Sequence, residues 1–110
     1  MSKSISFPFV SAKEIGAGKN IYLFNGAVDS NGKFISSPGS GWVANRIGEG
    51  EYAITHPLGT PDCSLSLSLI NQPGSYKLVS MDHTMFVINT TLDGLPKDSS
   101  FIFSMTRVAA

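Results

Sequence analysis

Three features of the sequence predict an all-β domain, an antiparallel β-sandwich or jelly roll of about eight strands. Apolar and polar residues alternate with a period of two in several short runs, and turn residues punctuate those runs every eight to twelve positions or so. No stretch sustains helical periodicity over three turns. With 110 residues the chain has the length of one domain. By surface scaling it buries roughly two-thirds of what its unfolded form exposes, enough for one core.

Ile5, Phe7 and Phe9 alternate as in a strand, but Pro8 has no N–H for a ladder and restricts the segment to an edge or an extended arm. Lys13-Glu14-Ile15-Gly16-Ala17-Gly18-Lys19-Asn20 reads as a loop. Residues 1–19 are therefore an N-terminal arm or attachment segment, or else an edge strand of the same sandwich, ahead of a β-sandwich module over 20–110. Ile21-Tyr22-Leu23-Phe24, continuing through Gly26-Ala27-Val28, is a strand; Asn31-Gly32 marks a hairpin turn, and Phe34-Ile35 returns.

After the loop Ser36–Gly41, the stretch from Trp42 to His56 reads as a hairpin about Gly48-Glu49-Gly50. Trp42, Ala44 and Arg46 share one face of its first strand; Tyr52, Ile54 and His56 share one face of the second. Trp42 and Tyr52 are candidates for the core or a subunit interface, with Arg46 and His56 as polar exceptions on the same faces, expected in a trimer to lie near a subunit boundary or the sandwich rim. Pro57–Asp62 breaks the sheet.

Cys63-Ser64-Leu65-Ser66-Leu67-Ser68-Leu69 is the clearest period-two run, with Cys63 and the leucines facing inward and the serines outward. Asn71–Ser75 is a turn, Tyr76–Met81 a strand, Asp82-His83 a corner, and Thr84–Thr91 a strand. Asp93–Ser100 reads as the last long loop. In the final strand Phe101, Phe103 and Met105 alternate with Ile102, Ser104 and Thr106. Phe101 and Phe103 join Trp42 and Tyr52 as core or interface candidates. Ile102 and Val108 on the opposite face predict a strand covered on both sides, by its own sandwich or by a neighbouring subunit.

Composition narrows the function classes. Charged residues are 15% and the formal net charge is zero, against about 25% charged in an average domain. A neutral, weakly charged surface lacks the footprint of a nucleic-acid binder and suits burial against other subunits. Cys63 is the only cysteine, so no intrachain disulfide forms, which argues for folding in a reducing compartment. The segment Met1–Pro8 has no apolar stretch of the signal-peptide kind, and no apolar run is long enough to cross a membrane.

No pattern of catalysis is legible. Gly16-Ala17-Gly18-Lys19-Asn20 fails as a phosphate loop, because Lys13 stands where the first glycine belongs and Asn20 where Ser or Thr belongs. His56 and His83, with Asp62 and Asp82, lie on separate loops and make no ligand set of recognisable spacing. Gly39-Ser40-Gly41 lacks the flanks of a nucleophile elbow, and the acidic residues form no glycosidase couple. Asn89-Thr90-Thr91 matches a glycosylation acceptor but falls inside a strand. The reading assigns no enzyme activity, no catalytic or metal-ligating residue and no cofactor.

Asn25-Gly26-Ala27-Val28-Asp29-Ser30-Asn31-Gly32, the hairpin Trp42–His56 with Ala44 in place of a larger apolar residue, Phe86-Val87-Ile88-Asn89-Thr90, and Asp98–Met105 occur in this order. Together, over residues 20–108, they resemble the C-terminal β-modules of bacteriophage tail fibres and tail spikes, which are similar to the trimeric jelly rolls of the complement-C1q and tumour-necrosis-factor type. The resemblance implies a jelly-roll sandwich, a homotrimer, a place in the virion after synthesis in the host cytoplasm, and either host-receptor (surface glycan) binding or fibre capping. It implies no functional residues. A second reading is a capsid decoration, head-fibre or assembly protein docked on other virion proteins through residues 1–19; a third is a bacterial tumour-necrosis-like or lectin module. For receptor binding, loops 29–33, 71–75 and 93–99 carry suitable hydrogen-bonding groups. The contact candidates are Asn31, Lys33, Asn71, Gln72, Ser75, Asp93, Lys97 and Asp98.

Overall fold

The computed structural model describes residues 10–16, 19–70 and 72–109, with side chains over 20–70 and 72–108. Ile5, Phe7, Pro8 and Phe9 lie outside the described residues, as do Ala17, Gly18 and Asn71. The chain forms an all-β, antiparallel sandwich of two packed sheets, as the alternation predicts. Its strands are β1 (Val10–Gly16), β2 (Lys19–Val28), β3 (Phe34–Ser36), β4 (Val43–Gly48), β5 (Glu51–Thr55), β6 (Ser64–Leu69), β7 (Ser75–Met81), β8 (Met85–Leu92), β9 (Leu95–Pro96) and β10 (Phe101–Ala109). One sheet, A, has the order β1-β2-β10-β6, with β3 pairing on β2; the other, B, has the order β4-β5-β8-β7, with β9 pairing on β8. The long strands β2 and β10 are antiparallel neighbours over nine residue pairs, Phe101 opposite Val28 through Ala109 opposite Asn20.

Two expectations need correction. The loop predicted over residues 13–20 is strand on both sides, since β1 runs through Gly16 and β2 begins at Lys19. Pairing along β2 makes Val10–Gly16 an edge strand of sheet A, so this part of the expected arm belongs to the sandwich. The long loop predicted over 93–100 contains β9, because Asp93 and Gly94 take φ of 53° and 80° and turn the chain back so that Leu95 pairs with Leu92. Two successive positive-φ residues are what the tightest hairpin turn requires. Pro96 fits there because β9 is a short edge.

The core lies between the sheets, on the faces the alternation names. Phe24, Val28, Tyr52, Ile54, Phe86, Ile88, Phe101, Phe103 and Met105 are all buried. Burial of each large apolar side chain contributes about 1.5–3 kcal/mol. The rings also contact one another: Phe86 meets Phe103 edge-on at 5.5 Å, Tyr52 meets Phe101 edge-on at 5.3 Å, and Trp42 lies 5.6 Å from Phe24 and 5.9 Å from Phe103. Such pairs add about 0.5–1.5 kcal/mol each beyond area burial. The four core-or-interface candidates, Trp42, Tyr52, Phe101 and Phe103, all sit in this core.

Of the two covers expected for the final strand, its own sandwich supplies one face only. Phe101, Phe103 and Met105 are buried, while Ile102 and Val108 on the outer face of sheet A are each 49% exposed. Nothing within the described chain covers that outer face.

Candidate functional site

The strand directions sort the loops into two ends. Loops 29–33 and 48–50, the β6–β7 connection and residues 93–100 lie at one end, called here the Tyr52 end; loops 37–42, 56–63 and 82–84 lie at the other, the His56 end. All three loops that the sequence suggests for receptor contact therefore meet at the Tyr52 end.

Two side chains join these loops. The Tyr52 hydroxyl donates to the Ser30 carbonyl at 2.8 Å and accepts the Ser99 backbone N–H at 3.2 Å, tying loop 29–33 to the segment before β10. Burial pushes the Tyr52 phenol up from its ordinary pKa, so it stays a neutral donor. Asp98 accepts the Gly50 N–H at 2.7 Å through Oδ1 and the Arg46 Nε–H at 3.0 Å through Oδ2. Partial desolvation raises the Asp98 pKa, but the Arg46 guanidinium and the Gly50 N–H outweigh it and hold the carboxyl below its ordinary value. The same contact raises Arg46.

Backbone geometry completes the arrangement. Gly50 takes φ of 66°, and a Cβ there would stand 2.5 Å from the Thr90 carbonyl, so only glycine brings the hairpin turn this close to β8. The Gly50 carbonyl accepts the Thr90 N–H, and the Thr90 hydroxyl donates to the Lys97 carbonyl. Loop 29–33 is closed by Asp29, whose Oδ1 accepts the N–H groups of Asn31 and Lys33. The predicted Asn31-Gly32 turn is thus a wider loop shaped by an aspartate.

The contact candidates separate into two groups. Asp98 is engaged as described, the Gln72 amide donates to the Asp98 carbonyl at 3.1 Å, and Ser75 shares a hydrogen bond with Thr91. These three brace the end. Asn31, Lys33, Asp93 and Lys97 are exposed, and their side chains make no hydrogen bond or ion pair within the described residues. Sequence reasoning missed Tyr52 and Arg46 as the tie points. The available signal was the register of the hairpin, in which Arg46 and Tyr52 are opposite neighbours on the core-side face.

A second concavity lies on the outer face of sheet A, a 620 Å³ trough bordered by Asn25, Ser36, Ser66, Ser68, Ile102 and Ser104. It offers neutral hydroxyl and amide groups around an apolar floor. The Ser104 hydroxyl already donates to the side-chain amide oxygen Oδ1 of Asn25 at 2.7 Å.

The histidines take places unlike the Tyr52 end. His56 is buried: its Nδ1 accepts the Leu58 N–H at 3.3 Å and its Nε2 meets the Asp82 carbonyl at 3.2 Å. Both ring nitrogens are thereby used on backbone groups. Asp82 holds the β7–β8 turn by accepting the N–H groups of Thr84 and Met85, which lowers its pKa. Burial raises the thiol pKa of Cys63, which makes it a weak nucleophile. No family model, curated protein or solved structure matches this chain.

Proposed function

We propose that this chain is a non-enzymatic structural module of a bacteriophage particle, of the tail-fibre kind, which attaches to a host-surface glycan through the Tyr52 end. The phage setting, and the homotrimer that goes with it, is supported by the motif resemblance of residues 20–108. The attachment role is supported by one observation above the others. Tyr52 and Asp98 fix the loops of one end against each other while Asn31, Lys33, Asp93 and Lys97 stand outward with unused hydrogen-bonding capacity. A surface of rigidly held loops carrying free amide, carboxylate and ammonium groups matches sugar hydroxyls, which both donate and accept.

The test is a glycan array and a whole-cell binding assay on the wild type and on the quadruple replacement of Asn31, Lys33, Asp93 and Lys97 by alanine. Retention by the wild type and its loss in the variant is the expected result. The exposed Asn31, Lys33 and Lys97 tolerate alanine to within about 0.5 kcal/mol each, and Asp93→Ala costs about 1–2 kcal/mol because Asp93 holds a positive φ of 53°. No retention of the wild type on any glycan or cell, or full retention by the variant, ends this reading.

A further inference from the structure

Sheet edges are sites of unwanted pairing, and proteins blunt them with bulges, charges, proline or short strands. Among the described residues, three of the four principal edges are blunted. β1 has a register shift between Glu14 and Gly16. β4 has a shift between Arg46 and Gly48, and β7 has one between Leu78 and Ser80 besides Lys77. β6 is different. It pairs with β10 in unbroken register over six residues and contains no charge, proline, glycine or bulge. Among the described residues nothing pairs with its outer edge.

The core is also incomplete along that edge. Leu65, Leu67 and Leu69 point between the sheets yet are only partly buried, and across from them Tyr76 and Leu78 remain 38% and 41% exposed. The seam between β6 and β7 opens into a cleft of 420 Å³ bordered by Leu67, Leu69, Gln72 and Tyr76. An apolar seam beside an unblunted strand is the arrangement that an added strand fills.

We infer that the occupant is the β6 strand of a second copy, paired antiparallel across a two-fold axis. The Ser-Leu alternation is its own complement. Every register that keeps leucine facing leucine also sets serine opposite serine, and with the axis at Leu67 the pairs are Leu67–Leu67, Ser66–Ser68 and Leu65–Leu69. The absence of charge matters equally, because a two-fold axis places each charge near its own copy and like charges opposite one another are destabilising. The pairing closes on itself, makes sheet A continuous through both copies, and covers the leucine seam. It goes beyond the attachment proposal and leaves the Tyr52 end free, since the paired edge runs along the side of the sandwich.

The prediction is an even number of chains per particle, two, or six where two-fold and three-fold contacts combine. Equilibrium sedimentation of the wild type at micromolar concentration measures this. Lysine at both Ser66 and Ser68, which are exposed on the outer face, raises the dissociation constant roughly tenfold or more. Glutamate at both positions does the same, and an equimolar mixture of the two variants restores assembly, which also shows that both fold. Backbone amide exchange across Ser64–Leu69 slows as protein concentration rises. A wild-type monomer or trimer, a lysine variant that assembles like the wild type, or exchange across β6 independent of concentration overturns the inference. A trimer that binds glycan leaves the attachment reading standing while removing this one.

Discussion

At the Tyr52 end the loops are held by a carboxylate and a guanidinium close to water together with a buried hydroxyl, whereas at the His56 end they are held by a buried indole and a buried imidazole. Arg46 and Asp98 keep 38% and 33% of their side-chain surface exposed, so water screens their ion pair and by itself it adds little to stability. What makes that end rigid is the set of backbone groups gathered around it, the Gly50 and Ser99 N–H and the Ser30 carbonyl. At the other end Trp42 lies 5.9 Å from the His56 ring, and Leu58 and the Arg107 contact to the Leu58 carbonyl close the loop above them. The lesson is that a solvated end offers groups to a partner, and a dry end offers cohesion.

The sharpest way to break this contrast is at Trp42. Replacement by alanine is expected to cost about 3–5 kcal/mol in a urea titration. Replacement by phenylalanine should cost clearly less, because the Trp42 indole N–H is buried without a partner among the described residues and its removal forfeits no hydrogen bond there. Equal losses would mean that the indole contributes something other than apolar packing.

Next in size is Tyr52→Phe. It leaves the buried Ser99 N–H without its acceptor and frees the Ser30 carbonyl, at a cost of about 1–3 kcal/mol. Amide exchange should quicken in residues 29–33 and 97–99 and stay unchanged in residues 56–63. Quickening at both ends would show that they are one cooperative unit.

The smallest effect is a titration. Burial lowers the His56 pKa below the ordinary 6.5, so the unfolded chain takes up the proton first. Stability is therefore fully present above about pH 6.5 and declines as pH falls toward the folded value. Protonation also puts a second N–H at Nδ1, facing the Leu58 N–H that it now accepts. Asp98 works in the same direction but lower, since its depressed pKa gives stability that is lost only as the carboxylate range is entered. Trp42 is the sole tryptophan and reports the first event directly. Its fluorescence should change below pH 6.5 in the wild type and stay flat in His56→Gln; a flat wild-type profile down to pH 5 would show that the imidazole remains neutral there.

How much of this was legible in the sequence follows from where each determinant lies. The phases of β4, β5, β6 and β10 were readable because their alternation is local, and Trp42, Tyr52, Phe101 and Phe103 were placed by it. The strand character of Lys13–Gly16 and Leu95–Pro96 was hidden, since it arises from pairing with β2 and β8 and leaves no period in the segments themselves. Asp98 looked like a free polar group in a loop. Its partners Arg46 and Gly50 are 52 and 48 residues away, beyond any local pattern. The convergence of three loops at one end was equally invisible, because strand order decides it.

Sheet A also constrains the order of events in folding. β10 lies between β2 and β6 and is the ladder partner of both, so those two strands have no common sheet until the last strand arrives. Sheet B contains two hairpins of near neighbours, β4–β5 and β7–β8, whose loop-closure entropy is small. These two hairpins can therefore close on their own, while β2 and β6 have no shared partner until β10 joins them. The unblunted leucine edge of β6 is most exposed to wrong partners during that interval.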